Sequence, residues 1–381
     1  MLTVKLPGEK EILFEEEETP QPTDDQILIE VKSSGLCGSD LKPYAMDKKE
    51  RGEFADSKGR LNISGHEPCG VVAEVGKNIE GIKVGERIIV HHYSGCRKCK
   101  HCVAGWPQLC LNGENKTYGF STDGGNSDYM IVLPEMCIPM PEEITFAEGA
   151  AIACGTGTAF QALKRLNVNG LDVLAVFGQG PVGLSATLLG AEMGATVIGI
   201  DVDEKRLELA KKHGATHTIN PNKIDPVEAI KDLTHGEGAD AGFEATAIGP
   251  VRRQMVQSTK IWGRACLVGE GGTVTFEPSP DIIHRHLNLM GSWTFSTHVL
   301  SELSQWVVDR KIPLNSIITD KYKLSEAKQL GYVESDPRLD IGGIDSAHKL
   351  ALLSCLAFGT SLNFKAVKTE GIDHISIEDI Q

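Results

Sequence analysis

A glycine-rich turn between a buried strand and a helix constrains this 381-residue chain more than any other feature. The segment "GQGPVG" places Gly178, Gly180 and Gly183 in G-x-G-x-x-G spacing, directly after the apolar run "DVLAVFG". Glycines at this spacing permit a tight turn and let backbone N–H groups approach a pyrophosphate at the helix N-terminus. The turn therefore predicts a dinucleotide-binding site.

The segments around this turn alternate between strand and helix. Strands are predicted at "DVLAVFG", "TVIGID", "THTIN", "ADAGFEAT" and "RACLVGE", with helices at "PVGLSATLLGAEMG" and "DEKRLELAKKHG". This alternation is typical of a doubly wound parallel sheet, so the predicted fold class is α/β. Asp201 ends the second strand, and a carboxylate there binds ribose hydroxyls and repels a 2′-phosphate, which favours NAD over NADP. Arg206 is a candidate for the adenosine side of the site, or a solvated helix residue.

The first part of the chain has a different pattern. Short β-rich segments such as "ILIEVKSSGLCGSD", "GVVAEVG" and "GERIIVHHY" are separated by turn residues. The pattern changes to helix at "TFAEGAAIACGTGTAFQAL". We therefore predict a mostly-β domain over 1–145, a nucleotide domain over 146–280 and a return to the first domain over 281–327.

Four closely spaced cysteines indicate a metal site. The segment "CRKCKHCVAGWPQLC" places Cys96, Cys99, Cys102 and Cys110 in C-x2-C-x2-C-x7-C spacing. Four thiolates match a closed, tetrahedral zinc site with a structural role. An iron–sulfur cluster is the alternative that the thiolate count leaves open. Disulfides are disfavoured, because the chain shows no export signal and a reducing compartment keeps thiols free.

A second set of metal-binding side chains is dispersed along the chain. Cys37 lies in "GLCGSD", His66 and Glu67 lie in "SGHEPCG", and Cys154 lies in "AIACGTGTAF". Two thiolates and an imidazole, with a carboxylate in reserve, can hold zinc and leave one position for water or an alcohol. Each residue alone has a simpler explanation, since a buried cysteine is usually a small apolar residue, and only the four together indicate a metal site.

Composition excludes several other classes of protein. A formal net charge of −14 argues against nucleic acid or an anionic membrane as the main partner. No apolar stretch approaches the roughly 20 residues that span a bilayer. The N-terminal segment "MLTVKLPGEKEILFEEEE" lacks the layout of a signal peptide. We therefore expect a cytoplasmic protein.

Residues 1 to about 328 resemble the zinc-containing alcohol dehydrogenases of the medium-chain dehydrogenase/reductase family. The motifs "CGSD", "GHE", "DGGNSDYM", "CGTGTAF" and "GQGPVG", together with the four-cysteine segment, carry the resemblance. It implies a GroES-like catalytic domain, a Rossmann domain and assembly into dimers or tetramers. It also implies that Cys37, His66 and Cys154 ligate a catalytic zinc, with Glu67 beside it as an exchangeable ligand.

The same resemblance implies a reaction. A hydride would pass from a small secondary alcohol or polyol to NAD, with Ser39 taking the alcohol proton and Asp40 supporting the site from behind. Members of the family often carry the proton onward through a histidine, but none lies between Ser39 and His66. Tyr44 or the cofactor ribose could serve instead. His91 and His92, at the end of a strand, are interpreted as packing or surface residues.

From about residue 327 the chain resembles a different enzyme. The segments "LGYVESDPRLDIGGIDSAHKLALLSCLAFG" and "VKTEGIDHISIEDI" are similar to an internal part of the homoserine dehydrogenase catalytic domain. By this match, residues 328–381 would form an α+β tail in which Glu334 and Asp340 bind the substrate amine and Asp345 and Lys349 transfer a proton. The alternative for Asp345 and Lys349 is a helical ion pair, because residues i and i+4 share a face.

The tail bears on activity and stability. In the zinc family, a helix and strands close the catalytic domain at this point, and here the tail stands in their place. We therefore expect lowered stability or a poorly docked terminus. Two rivals to a zinc alcohol dehydrogenase remain open: homoserine dehydrogenase activity in the tail, and an impaired chimera that only binds zinc and nucleotide.

Overall fold

The computed structural model describes residues 1–56 and 59–325. Glu334, Asp340, Asp345 and Lys349 lie outside the described residues, and so does the whole predicted tail segment 328–381. The described part of the chain contains a six-stranded sheet, a five-stranded sheet and two two-stranded sheets. Over these residues, every helix falls short of the length and hydrophobicity that crossing a bilayer requires.

The strands are, in chain order, β1 (Leu2–Gly8), β2 (Glu11–Glu16), β3 (Ile27–Gly35), β4 (Glu67–Val75), β5 (Arg87–Val90), β6 (Tyr93–Ser94), β7 (Lys116–Thr117), β8 (Tyr129–Val132), β9 (Cys137–Pro139), β10 (Val173–Phe177), β11 (Thr196–Ile200), β12 (Ala215–Ile219), β13 (Ala239–Glu244), β14 (Thr259–Leu267) and β15 (Asn288–Gly291). The α-helices are α1 (Leu41–Ala45), α2 (Lys100–Val103), α3 (Phe146–Ala151), α4 (Gly157–Leu166), α5 (Pro181–Glu192), α6 (Glu204–Lys212), α7 (Pro226–Leu233), α8 (Gly249–Ser258) and α9 (Thr297–Arg310).

The six-stranded sheet is parallel, with the order β12-β11-β10-β13-β14-β15. Its central strands are buried on both faces because helices cover them, and Phe177 and Phe243 are fully buried. Strand order reverses between β10 and β13, and ligands of such sheets bind at the carboxyl ends of the strands next to this point. The predicted α/β fold is confirmed. The last strand, β15, lies beyond the boundary expected near residue 280, so the parallel sheet is longer than predicted.

The five-stranded sheet is antiparallel, with the order β8-β3-β4-β5-β9. Apolar residues of one face, including Ile27, Ile29, Ile88 and Met130, form its core. β3 and β4 pair along their full lengths, and the last pair joins Gly35 to Glu67. The sheet therefore places the loop after β3 beside the start of β4.

A single helical stretch over residues 146–166 joins the two sheets. α3 contacts β3 and β4, whereas α4 contacts α5 and β14. Between them the backbone forms a π-helical turn at Ile152–Thr156. One apolar core runs through this junction, because it includes Ile89 from the antiparallel sheet and Val176 from the parallel sheet. The junction is therefore packed rather than joined by a flexible linker.

We predict that Phe243→Ala lowers the free energy of unfolding by about 3–5 kcal/mol, because the change leaves a cavity in a core that cannot collapse around it. Phe243 has no exposed surface. Leu171→Ala is the control, since Leu171 is 93% exposed. Denaturant-induced unfolding would measure both variants, and an equal effect of the two would contradict the assignment of this core.

Candidate active site

Three separate segments bring the dispersed metal-binding side chains together. Cys37 precedes the 3-10 turn Gly38–Asp40, His66 and Glu67 lie at the start of β4, and Cys154 lies on the π-helical turn. The ligand atoms of Cys37, His66, Glu67 and Cys154 all lie within 4.8 Å of one another. A π-turn widens a helix locally and is frequent at functional sites. The turn gives Cys154 a setting that a regular helix does not provide.

The carboxylate of Asp40 holds two of these segments in place. One oxygen accepts the backbone N–H of Cys37 at 2.9 Å, and the other lies 3.1 Å from Nδ1 of His66. Asp40 is only 1% exposed. With Nδ1 occupied in this way, Nε2 of His66 is left facing Ser39 Oγ at 3.4 Å and Glu67 Oε1 at 4.0 Å. Asp40 therefore orients the imidazole toward the cluster.

Contacts within the cluster shift the pKa values of its members. A hydrogen bond from the Cys154 thiol is the main cause that holds the pKa of Cys37 well below its usual value, and His66 adds to it. Burial disfavours the imidazolium, but Asp40 raises the pKa of His66 above its usual value. Burial raises the pKa of Glu67 to about 8, and the Cys37 thiolate contributes. Two sulfurs, an imidazole and a carboxylate at these distances are a donor set that fits zinc.

Aromatic side chains surround the cluster. The ring of Phe120 lies 5.0 Å from that of His66, and Phe54 lies 5.6 Å from Phe120. On another side, the Tyr93 ring packs edge-on against Trp293 at 5.6 Å. Sequence reasoning singled out none of these four aromatic residues, because they come from distant loops and share no local motif. Phe120 and Tyr93 lie closest to the cluster, and Phe54 and Trp293 pack on them.

His91 and His92 are packing residues and not surface residues, since they are 0% and 1% exposed. The His92 ring packs edge-on against His66 at 5.3 Å, and its Nδ1 lies 3.1 Å from the carbonyl of Ala153. Nδ1 of His91 lies 3.1 Å from the carbonyl oxygen and 3.4 Å from the backbone nitrogen of Tyr93, and Nε2 lies 3.2 Å from the carbonyl oxygen of Phe295. The two histidines link the end of β5 to His66 of the cluster and to the segment around Phe295.

The four-cysteine lobe, residues 96–110, forms a second cluster. The sulfurs of Cys96, Cys99, Cys102 and Cys110 lie within 4.8 Å of one another. Cys102 Sγ is 3.8 Å from Cys96 Sγ and 3.5 Å from Cys99 Sγ, too far for a disulfide. Thiolates bound to one tetrahedral zinc at ~2.3 Å are ~3.8 Å apart. The spacing fits a single ion, whereas an iron–sulfur cluster spreads its thiolates over several irons.

The dinucleotide turn has the geometry that its glycines predict. Gly178 has φ +88°, and a Cβ on Gly183 would lie 1.7 Å from the carbonyl oxygen of Gly178. A Cβ on Gly180, by contrast, would meet no atom within 4 Å. Gly180 is the N-cap of the 12-residue helix α5 and supplies no side-chain cap. The space above Gly180, in front of free helix N–H groups, fits a phosphate.

Asp201 lies beside this turn and is 7% exposed. One of its oxygens accepts the backbone N–H of Gln179 at 2.6 Å, and the other accepts that of Asp203 at 2.9 Å. Arg206 Nη1 lies 3.8 Å from the carboxylate. The structure therefore brings Asp201 and Arg206 together with the glycine turn.

A buried ion pair supports the loops that face the turn. Glu244, at the end of β13, accepts the N–H of Ala247 at 2.7 Å and binds Arg252 Nε at 3.1 Å. Arg252 Nη2 donates to the carbonyl of Gly269 at 2.6 Å, which ties the loops after β13 and β14 together. Sequence reasoning missed this pair. The sequence signal that could have revealed the pair is Glu244, a charged residue at the end of a predicted buried strand.

Comparisons with known proteins agree with this geometry. Family profiles match at residues 23–142 (alcohol dehydrogenase GroES-like domain), 181–309 (zinc-binding dehydrogenase) and 315–381 (homoserine dehydrogenase). The chain is 35% identical over 331 residues to an uncharacterized zinc-type alcohol dehydrogenase-like protein, YphC, of Escherichia coli, covering 86% of this chain and 93% of that protein.

Two further relatives were found. An L-threonine 3-dehydrogenase of Pyrococcus horikoshii is 33% identical over 81% of this chain and 87% of its own length. The solved structure of a zinc-binding dehydrogenase from Sinorhizobium meliloti, bound to NADP, has a TM-score of 0.76 and 27% identity, over 86% of this chain and 94% of that one.

We predict that Gly183→Ala weakens NADH binding by about tenfold or more, a loss of roughly 1.4 kcal/mol. The reason is that the added Cβ would overlap the Gly178 carbonyl and displace the turn. Titration of NADH fluorescence would measure the change. Gly52→Ala is the control, because its Cβ would meet no atom within 4 Å. Equal affinity of both variants for NADH would contradict the assignment of this turn.

Proposed function

This chain belongs to the zinc-type alcohol dehydrogenase family, and on that premise we propose that it is an NAD-dependent dehydrogenase of a small secondary alcohol or polyol. The observation that carries the proposal is the cluster of Cys37, His66, Glu67 and Cys154, within 4.8 Å of one another and beside the exposed hydroxyl of Ser39. The threonine 3-dehydrogenase relative acts, by its name, on a secondary alcohol, which supports this class of substrate.

The cluster would hold the catalytic zinc through Cys37, His66 and Cys154, with Glu67 as an exchangeable ligand. Zinc in such a site supplies Lewis acidity toward the oxygen of an alcohol or a carbonyl. The four-cysteine lobe would hold a second, structural zinc. Asp40 keeps the His66 imidazole in place, and such partners of a ligand are worth roughly 10- to 100-fold in metal affinity or activity.

Ser39 is the residue best placed to take the substrate proton. Its hydroxyl lies 3.4 Å from His66 Nε2 and is exposed, so it can both meet a substrate and pass a proton to solvent. The onward route, through Tyr44 or the cofactor ribose, stays a prediction. The partly exposed Phe120 and Trp293 would offer apolar surface to the carbon skeleton of a small substrate.

The cofactor would lie across the carboxyl ends of β10 and β13, where it supplies the hydride acceptor. Gly180 leaves room for the pyrophosphate at the N-terminus of α5. Asp201 supports NAD, because a carboxylate held by two backbone N–H groups accepts ribose hydroxyls and repels a 2′-phosphate. Because the Sinorhizobium meliloti structure is bound to NADP, the preference for NAD over NADP is the part of the proposal that most needs a test.

A second candidate function rests on the homoserine dehydrogenase match at residues 315–381. Its residues Glu334, Asp340, Asp345 and Lys349 lie outside the described residues. The match spans residues 315–381, whereas the side chains of the zinc-binding cluster come together within the described residues. We therefore place the activity of the chain in the zinc site.

We predict two zinc ions per wild-type chain and one per Cys37→Ser chain. Cys37→Ser should also lower the rate of alcohol-dependent NAD reduction about a hundredfold or more, because several kcal/mol of zinc-dependent stabilisation of the transition state are lost. Metal analysis and an alcohol panel would measure both. Cys99→Ser is the matched control, since it removes a thiolate from the lobe instead.

Three outcomes would contradict the proposal in different ways. Alcohol oxidation that survives Cys37→Ser would remove the zinc site from the reaction. Homoserine oxidation that survives Cys37→Ser and disappears in Lys349→Ala would assign catalysis to the tail. Two zinc ions without turnover of any alcohol would indicate a chimera that binds metal and nucleotide only.

We further predict that Asp201→Gly shifts the preference from NAD toward NADP by about tenfold or more in kcat/KM. The carboxylate that repels a 2′-phosphate is removed, while the partly exposed Arg206 remains beside the position. Steady-state kinetics with both cofactors would show the shift. Asp203→Gly serves as a neighbouring control, and an unchanged ratio in Asp201→Gly would exclude this residue as the selector.

A further inference from the structure

We infer that Gln108 is a positioning residue that sets one wall of the substrate cleft, so that the four-cysteine lobe takes part in substrate selection. Gln108 lies on the 3-10 turn Pro107–Leu109 of the lobe and is 4% exposed. The inference rests on the proposed dehydrogenase function, since it concerns the cleft beside the same cluster.

The amide of Gln108 reaches out of the lobe to a distant segment. Nε2 donates to Thr294 Oγ1 and to the carbonyl of Phe295, both at 2.8 Å. Among the described residues, its Oε1 is buried without a hydrogen-bond partner. An unsatisfied buried amide oxygen lowers the stability of the fold. The benefit of a glutamine at this position therefore lies in the two hydrogen bonds that its amide donates.

The segment that Gln108 holds has an unusual backbone. Thr294 has φ +50°, which a β-branched residue rarely adopts unless its surroundings impose it. Nε2 of His91 also lies within hydrogen-bonding distance of the Phe295 carbonyl, at 3.2 Å. The Phe295 ring packs edge-on against His91 and His92 at 5.4 and 5.6 Å. The lobe and the end of β5 therefore hold this backbone from two sides.

A further contact docks the same segment on the lobe. Thr297, the first residue of α9, donates its N–H to the carbonyl of Gly105 at 3.0 Å. A Cβ on Gly105 would lie 2.5 Å from Thr297 Oγ1, so the approach is close. The segment 293–297 thus contacts the lobe at Gln108 and at Gly105.

The restrained backbone positions Trp293 beside Tyr93. Trp293 precedes Thr294, is 40% exposed and packs on Tyr93 at 5.6 Å. Tyr93 in turn lies 4.3 Å from His92, whose ring touches that of His66 in the metal-binding cluster. A change in φ at Thr294 would move the indole relative to Tyr93. Gln108 therefore sets the space open to a substrate without touching the substrate itself.

Two variants test the role of the donors. Gln108→Met and Gln108→Glu keep the length of the side chain and remove its N–H groups. Both are made in a background where the other three of the four tryptophans, Trp106, Trp262 and Trp306, are replaced by Phe. In both variants we expect the acrylamide quenching constant of Trp293 to rise about twofold or more, because the segment is released.

The kinetic readout is selectivity. We expect the ratio of kcat/KM between a bulky and a small secondary alcohol to change about tenfold or more, with the KM for NAD unchanged. Leu109→Ala, a 43% exposed neighbour on the same turn, is the matched control and should alter neither quantity. Thermal unfolding and zinc content verify that each variant is folded.

Quenching of Trp293 in both variants equal to that of the same background with Gln108 intact would overturn the inference. A change in quenching with an unchanged selectivity ratio would overturn its link to substrate choice, as would an equal loss of activity toward every alcohol. Quenching is measured without substrate, so it decides the role of Gln108 even if the protein oxidises no alcohol, an outcome that would refute the proposed function separately.

Discussion

The Asp40 carboxylate joins the loop after β3 to the start of β4, since it accepts the N–H of Cys37 and faces Nδ1 of His66. Such a junction is possible only where the two strands approach closely. A Cβ on Gly35 would lie 1.9 Å from Glu67 Oε2, so a glycine is required opposite the buried carboxylate. The pairing of β3 with β4 and the short turn after β3 thus together fix the positions of Cys37, His66 and Glu67 in the cluster.

The third segment of the cluster comes from the junction between the sheets. Cys154 belongs to a helical stretch that shares its core with both of them. The same stretch approaches the cofactor turn, since Thr156 Oγ1 lies 3.1 Å from Ser185 Oγ on α5. Close packing transmits position well, because interiors have few voids and low compressibility. The distance between the cluster and the dinucleotide turn is therefore set by the core.

Local signals account for what could be predicted from the sequence. The strands around Gly178 are short apolar runs, and the lobe cysteines lie within 15 residues of chain, so spacing alone indicated both. Cys37, His66 and Cys154 are far apart, and only resemblance to a family joined them. Features that depend on tertiary contacts leave no local pattern in the sequence. The aromatic side chains around the cluster, the bonds of Gln108 and the extension of the sheet by β15 depend on contacts between residues distant in sequence.

The π-helical turn at Ile152–Thr156 has a consequence for how this protein can change. An α-helix completes a turn in about 3.6 residues, and a π-turn fits about one more residue into a single turn, so α3 and α4 keep their rotational phase on either side of it. Removing one residue there would leave a regular helix with both flanks still facing their neighbours. It would, however, remove the local widening of the backbone on which Cys154 lies. The length of this turn is therefore tied to the metal-binding cluster and not to the relative rotation of the two layers.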